Sequence, residues 1–448
     1  VISTGDTLMI REGTYTGSKN REIRIESKSD DYEKYKNVVI TSEKGPENTI
    51  FDAGSNGRHL FIRTHQNGKI DSTLQIIGLT FQNGKKSEND LPGASVHLQA
   101  YVENADVPIP STNQPKFKNC VFKNNEQENG WGGAIYLQES APIFENCVFE
   151  NNKGTWGGGA IFAYRGNISA DYDTLYIRNS TFKNNVINNS NMDNDAAVYG
   201  GAIHTSGHSP TVIIGSTFES NKALGYGNGW GSYGGALYIE GNWNKDRRNG
   251  VHIVNSRFSK NVADWLGESS TNTYGGAIFA GGPFTMVNTV LDSNIATFSS
   301  NQGNGRGLGG ALHIQINTSN NSNVEGQSIL INNTIVNNIA SSVQGDGEGA
   351  GIFLNSLQQQ SGVWFNNIIY GNINKTTTSN SNSNYNFGAL HINGSPEDFK
   401  IVNANNNIEG VLNQQMVSFG NNTFDINPGF ISPSNYGLSD ASPMIGLG

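Results

Sequence analysis

Two phrases alternate through the middle of this chain: Asn-Ser/Cys-x-Phe-x-x-Asn, then, after a loop, aromatic-Gly-Gly-Ala-Ile-aromatic. The first appears as Asn119-Cys120-Val121-Phe122, Asn146-Cys147-Val148-Phe149, Asn179-Ser180-Thr181-Phe182, Gly215-Ser216-Thr217-Phe218, Asn255-Ser256-Arg257-Phe258 and Asn288-Thr289-Val290-Leu291. Its partner follows as Trp131-Gly132-Gly133-Ala134-Ile135-Tyr136, Gly158-Gly159-Ala160-Ile161-Phe162, Tyr199-Gly200-Gly201-Ala202-Ile203-His204, Tyr233-Gly234-Gly235-Ala236-Leu237-Tyr238, Tyr274-Gly275-Gly276-Ala277-Ile278-Phe279 and Leu308-Gly309-Gly310-Ala311-Leu312-His313. A unit this short cannot bury its own apolar face. Repetition at this density therefore builds a stacked solenoid.

The units are strands. Runs such as Thr211-Val212-Ile213-Ile214 and Val251-His252-Ile253-Val254 alternate in character and are punctuated by Gly and Asn, which selects a period of two over a helical period. The fold class expected is all-β, a single-stranded right-handed parallel β-helix with long loops on one edge. Its coils would lie about 4.8 Å apart with equivalent residues in columns. Phe122, Phe149, Phe182, Phe218 and Phe258, continued by Leu291, Ile335 and Ile369, form the expected core column. Asn125, Asn152, Asn185, Asn221, Asn261, Asn294, Asn338 and Asn372 form another, at a corner where Asn tolerates the left-handed conformation and stacked amides can bond to one another. Cys120 and Cys147 take the place of Ser180, Ser216 and Ser256, so they read as stacked small core residues rather than a disulfide.

The paired phrases resemble the repeat of the polymorphic outer-membrane proteins of chlamydiae and of bacterial β-helices with a pectin-lyase-like fold, over roughly residues 117 to 395. Gly5-Asp6-Thr7-Leu8-Met9-Ile10-Arg11-Glu12-Gly13-Thr14-Tyr15 resembles the first coil of that fold, and Thr49-Ile50-Phe51-Asp52-Ala53 its second. Asn427-Pro428-Gly429-Phe430 through Ser442-Pro443-Met444-Ile445-Gly446 is similar to the choice-of-anchor segment closing many secreted or surface-anchored β-helices. The resemblance implies an extracellular or cell-surface, bacterial location.

Length agrees with a solenoid. A 448-residue chain exceeds the usual single core, but a stack grows along an axis, so one domain over 1–448 is expected, with N-terminal coils at 1–60, a repeat body at 61–395 and C-terminal coils with the anchor-like segment at 396–448. The chain opens at Val1 in a strand pattern, which reads as a mature or excised segment of a larger protein. A net charge of −9, with 29 basic and 38 acidic residues and no basic stripe, argues against nucleic acid as a partner. No apolar run reaches membrane-spanning length, so no membrane insertion within this segment is expected.

The surface carries two candidate features. Loops between the Asn column and the Gly-Gly corner lengthen after the first clear repeats: 186–198, 222–232, 262–273, 295–307, 339–348 and 373–386. They should pile into a wall along one edge, either a binding face or tolerated corner padding. Beside it runs an outward row of Tyr136, Phe162, His204, Tyr238, Phe279, His313, Phe353 and His391. Such a row either stacks sugar rings, whose C–H faces suit aromatics, or stacks on itself to stabilise the sheet.

Chemistry, if present, should cluster on adjacent coils. Tyr164 and Arg165, then His204 and His208, then Glu240 with Trp243, Lys245 and Arg247 follow the same strand. A polysaccharide lyase needs that mixture: a cation to acidify the C5 proton of a uronate, a Lys, His or Tyr to remove it, and an acid to assist the leaving oxygen. The Lys245–Arg248 run also reads as a solvated loop. As a glycosidase pair Glu139 and Glu240, three coils apart, would lie about 14 Å from each other, beyond the roughly 5–10 Å that hydrolysis requires, and Asp171 and Asp173 in the loop after Arg165 could close that distance. Asp193 and Asp195, and less so Asp346 with Glu348, offer oxygen ligands for weak Ca²⁺ binding; no cofactor is otherwise required. Two functional readings follow. One is a carbohydrate-active protein holding an extended polysaccharide or cell-surface glycan along Tyr136, Phe162, Tyr238, Glu240, Trp243, Phe279 and His313, with lyase chemistry from Tyr164, Arg165, His204, His208, Lys245 and Arg247. The other is an adhesin or structural stalk without turnover.

Overall fold

A computed structural model describes residues 2–28, 34–65, 68–87, 92–100, 112–165, 173–190, 196–207, 209–240, 250–315, 326–343, 345–355, 360–376, 388–393, 399–404, 406–409 and 422–446. The chain divides into two compact units, the first comprising 1–189 and 198–221, the second 190–197 and 222–448.

In the first unit every coil contributes one strand to each of several parallel sheets. A first face stacks Lys116–Lys118, Ile143–Glu145, Leu175–Arg178 and Thr211–Ile214, and a second stacks Val121–Lys123, Val148–Glu150, Thr181–Lys183 and Thr217–Glu219. Short third strands such as Glu126–Gln127 and Lys153–Gly154 lead through the Gly-Gly corner to a fourth face holding Val96–Gln99, Ile135–Gln138, Ile161–Arg165 and Ile203–Gly207. The coils begin at Thr7–Ile10, Gly13–Tyr15 and Ile23–Ser27. This all-β stack of parallel strands is the β-helix that the repeats predict.

Register is set by repetition of the same letters. Phe122 pairs with Phe149, Phe149 with Phe182 and Phe182 with Phe218, and their rings stack at 4.9, 4.5 and 4.7 Å. All are fully buried, and a one-residue slip would turn the whole column outward. The Asn column is equally regular. Asn152 donates its Nδ2 to Asn185 Oδ1 at 2.9 Å and to the Phe122 carbonyl at 2.9 Å, and Asn185 repeats the pattern on Asn221 and Phe149. Each buried amide thus satisfies its own donors and acceptors within the stack. The left-handed residue at this corner is not the ladder Asn, as the sequence suggested, but the one before it: Asn124, Asn151 and Asn184 have φ of 56°, 55° and 53°. The ladder Asn follows in a conformation that points its amide inward.

The Gly-Gly corner has two separate requirements. Gly158 takes φ +66°, and a Cβ on Gly159 would lie 2.1 Å from the Gly201 carbonyl of the following coil. The first glycine makes the turn and the second lets adjacent coils close up.

The second unit repeats this plan. Its first face holds Val251–Val254, Phe284–Val287, Gly326–Ile331, Gln360–Phe365 and Phe399–Ala404; its second runs from Arg257–Ser259 to Thr423–Phe424. The Asn ladder is present here too, from Asn261 through Asn294 and Asn338 to Asn372. A second ladder, not anticipated, occupies the other corner: Asn333 donates to Asn367 at 2.9 Å, Asn367 to Asn406 at 2.8 Å and Asn406 to Asn422 at 3.1 Å. The anchor-like segment forms an antiparallel hairpin, Phe430–Ser432 with Asn435–Leu438. Its Tyr436 hydroxyl donates to Asp292 at 3.3 Å, beside the Arg257–Asp292 ion pair, so the hairpin folds back along the second face. Among the described residues, no helix is long and apolar enough to cross a membrane.

Candidate functional site

The outward row is in register in both units. In the first, His97 pairs with Tyr136, Tyr136 with Phe162 and Phe162 with His204; in the second, Tyr238 pairs with Phe279, Phe279 with His313, His313 with Phe353 and Phe353 with His391. The row is nevertheless not open to solvent. Phe162, Phe279 and Phe353 are buried, His204 is 3% exposed and His313 0% exposed. Tyr136, Tyr238 and His391 are half-buried.

The cover comes from the aromatic that precedes each glycine pair. Trp131 lies 4.6 Å from Phe162 and 5.4 Å from His204, and Tyr199 lies 5.3 Å from His204. In the second unit Tyr233 crosses Phe279 edge-on at 5.1 Å and Tyr274 crosses His313 at 5.0 Å. The repeated phrase therefore encodes two aromatic layers, one on the sheet and one folded over it by the left-handed glycine. The expectation of an accessible sugar platform is corrected accordingly: Phe162, His204, Phe279 and His313 pack against protein. Burial holds His313 neutral, pushing its pKa down to about 4, and does the same to His97, to about 3.

Of the proposed catalytic set, Tyr164 is 39% exposed while Arg165, next in the same strand, is buried. Period two explains this, since neighbours on a strand face opposite ways. Burial raises the pKa of Asp173, opposed by the charges of Arg165 and Lys69 and aided by Asp71. Lys69 lies 3.4 Å from Asp71, which also accepts from Thr73 Oγ1 at 2.6 Å. These groups form a charged cluster at the exit of the fourth face of the first unit, with Tyr164 nearby on the same strand end. Its polar groups are engaged with one another. Tyr164 aligns with Gln138 and Ser206, which moves Glu139 one residue out of the column shared by Glu240 in the sequence reading; Glu139 has φ 52° and sits past the strand end. Glu240 is half-buried. His208, Trp243, Lys245, Arg247, Asp193 and Asp195 lie outside the described residues, as does Asp171. Among the described residues, no group of three or more His, Cys, Asp or Glu is placed to hold a metal ion. Glu348, the weaker calcium candidate, pairs with Arg306 and lies 3.7 Å from His391.

The loop wall is ordered in the second unit. Strands Lys222–Gly225, Val262–Trp265, Ile295–Phe298 and Ile339–Ser342 stack, and so do the returning strands Ser232–Tyr233, Thr273–Tyr274 and Gly307–Leu308. Between them the loops bond coil to coil: Glu268 N–H to Gly227 carbonyl at 2.9 Å, Ser269 Oγ to Gly229 carbonyl at 3.1 Å, Asn304 N–H to Ser270 Oγ at 3.1 Å and Ser342 Oγ to Gly305 carbonyl at 2.7 Å. Trp265 and Phe298, both 0% exposed, fill the space beneath. These loops are hydrogen-bonded structure. Asp264 lies at the base of the wall. Ser299 Oγ donates to it at 3.0 Å, and burial raises its pKa to about 6 despite that bond.

The wall also carries residues the sequence reading did not single out. Trp230 is exposed at the loop crest, whereas the tryptophan chosen from the sequence was Trp243. A Gly-Asn-Gly-Trp-Gly context at 227–231 was the available signal, because alternating glycines leave a large side chain nothing of its own loop to pack on.

Comparison with known proteins adds one finding and one absence. No curated protein matches the chain. Residues 146–164 match the Chlamydia polymorphic membrane protein (Chlamydia_PMP) repeat, a stretch that begins at Asn146 in one corner, passes through Phe149 and the Gly158–Gly159 turn, and ends at Tyr164.

Proposed function

We propose that this chain is a bacterial surface-displayed β-helix that works by binding rather than by turnover, an adhesion module whose contact face is the loop wall. The observation carrying this reading is the closure of the aromatic row. His204 and His313 are packed under Tyr199 and Tyr274, which keeps these two imidazoles from abstracting a proton from a polymer or stacking on one. The hydrogen-bonded wall, by contrast, offers a rigid edge of Asn, Ser, Thr and Gly side chains and backbone. Preorganised loops lose little entropy on contact, the requirement for a binding face. The matched repeat supports display on a bacterial surface.

A second reading keeps one observation in its favour. Tyr164 is exposed at the end of its strand, so a lyase centre in the first unit would use Tyr164 as base, while the buried Arg165 faces the other way. Both readings meet one experiment: incubation with a panel of uronate-containing polysaccharides, following the absorbance of the unsaturated product, alongside attachment of the same protein to immobilised glycans and host-cell surfaces. Attachment without product is the expected result. Product formation that Tyr164→Phe abolishes would replace the adhesion reading with the lyase.

A further inference from the structure

We infer that the loop wall of the second unit carries a binding site for a neutral glycan, centred on Trp230; this rests on the adhesion reading and names its ligand class. Trp230 is 76% exposed, the most exposed of the large apolar side chains described. Its indole leaves a broad apolar face open to solvent with a polar N–H at the edge. Its backbone is pinned. Its carbonyl accepts from the Tyr233 hydroxyl at 2.9 Å, and the Gly229 carbonyl just before it accepts from Ser269 Oγ at 3.1 Å. Gly231, just after it, has φ +119° and packs so closely on the following coil that a Cβ would lie 2.4 Å from the Asn272 carbonyl. A backbone pinned on both sides presents the indole from a fixed point, which favours stacking on the C–H face of a pyranose.

The surroundings select the sugar. Ser270, Gln302 and Asn304 are exposed on the two following loops and supply hydroxyl and amide groups for sugar hydroxyls. Among the described residues of the loops 225–232, 265–273, 299–307 and 343–348, the one cation is Arg306, and Glu348 holds it. Glu268 and Asp346 are exposed acids on the same loops. At these loops a uronate chain would meet carboxylates and a cation already paired, the wall's exposed Lys222 lying at the start of the strand before them, whereas a neutral hexose or N-acetylhexosamine chain meets an indole and a row of amides. A neutral polymer differs from the uronate chain of the lyase reading.

The test is titration of the whole chain with cellohexaose, mannohexaose, chitohexaose and hexagalacturonate, read by calorimetry and by intrinsic tryptophan fluorescence. At least one neutral hexasaccharide should bind with a blue shift in emission, weaken at least tenfold in Trp230→Ala, weaken only a few-fold in Trp230→Phe, and be unchanged in Tyr164→Ala; hexagalacturonate should bind more weakly than any of them. Equal affinity in Trp230→Ala and the parent chain, loss through Tyr164→Ala instead, or preference for hexagalacturonate would overturn the inference. If no sugar binds while attachment to host cells persists, the glycan site is wrong and the adhesion reading stands. If cell attachment is absent as well, both fall.

Discussion

The two units build the same coil from opposite allocations of volume. In the first, a small corner residue precedes a large core residue two positions on: Cys120 with Phe122, Cys147 with Phe149, Ser180 with Phe182, Ser216 with Phe218. In the second the pairing drifts from Ser256 with Phe258, through Thr289 with Leu291, to Asn333 with Ile335, Asn367 with Ile369 and Asn406 with Ile408. Both side chains of a pair point inward, so their summed volume must stay constant if the coils are to keep one cross-section. The exchange also changes what holds neighbouring coils together. Ser180 Oγ accepts one axial bond from the Cys147 N–H, at 3.1 Å, whereas Asn333 accepts from the Thr289 N–H at 3.0 Å and donates to both Asn367 and the Met286 carbonyl at 2.9 Å. At this corner the first unit relies on stacked rings behind a small residue, and the second adds a further amide ladder to the one both units share.

The outer faces differ as well. On the first face of the first unit Lys116 and Lys118 reach Glu145 at 2.6 and 3.2 Å, and Arg178 lies over Tyr176. In the second unit the corresponding rows carry Ile329 beside Val363 and Ile331 beside Phe365. Ion pairs and snorkelled stems make the first face a solvated one, while the second leaves aliphatic rows half-exposed.

The largest test of this contrast is the ring column. Phe182→Ala removes a ring stacked on both sides, at 4.5 and 4.7 Å, and should cost about 3–5 kcal/mol in denaturant unfolding. Ile335→Ala should cost less, since it deletes fewer atoms; an equal loss would mean that ring stacking adds nothing to the first unit. Next come the corners. Asn333→Ala strands the Thr289 N–H and the Met286 carbonyl and should cost about 1–3 kcal/mol, against about 1 kcal/mol for Ser180→Ala. The double exchange Asn333→Ser with Ile335→Phe should recover part of the loss of the single changes, and strict additivity in that cycle would remove the volume argument.

A smaller difference should appear on acidification. In the first unit His59 and His97 are held neutral by burial, with pKa pushed down to about 4 and about 3. A buried neutral histidine contributes stability that is complete above its unfolded pKa of about 6.5 and is lost as pH falls below it. Glu22, Glu126 and Glu145, all in the first unit, are held below the usual carboxylate range by lysine partners, against a burial penalty that acts the other way. Their contribution is complete above about 4.3 and is lost as pH falls through their lowered values. The second unit loses the contribution of His313 in the same way, and the raised pKa of Asp264, about 6, makes protonation favour its folded state, as the raised pKa of Asp173 does in the first unit. Hydrogen exchange at pH 7 and pH 5, read by segment, should show the first unit losing more protection; the opposite ranking breaks the contrast. The smallest effect belongs to Cys147→Ser, which installs the residue used by the following coil and should shift stability by no more than about 1 kcal/mol, with Cys120→Ser alike. Burial raises the Cys147 thiol well above its ordinary pKa, so slow reaction with a thiol reagent in the folded chain is expected alongside.

How much was legible depended on whether a feature repeats. Phe149 under Phe182 and Asn152 beside Asn185 could be read directly, because in-register stacking converts each recurring letter into a column. The offset at the corner could not: Asn124 and Asn125 are both asparagine, and which of the two turns the chain depends on φ. Closure of the aromatic row was hidden for a different reason. Trp131 and Tyr199 belong to the motif, yet nothing in a one-dimensional phrase says that the residue before Gly-Gly folds across the row of its neighbours. Trp230 and the Tyr436 contact with Asp292 occur once each, and a periodic reading passes over single occurrences.

The sequence by itself determined the coil, its parallel register, the identity of the core column and the edge from which the loops leave, since each follows from a spacing repeated many times and from the alternation of a strand. Only the tertiary structure decided which aromatics are covered, which loops stack into a wall and which tryptophan meets solvent. Those outcomes depend on glycine-directed turns and on contacts between successive coils, where a change of a few degrees in φ, or one methyl group, redirects a side chain from water to core.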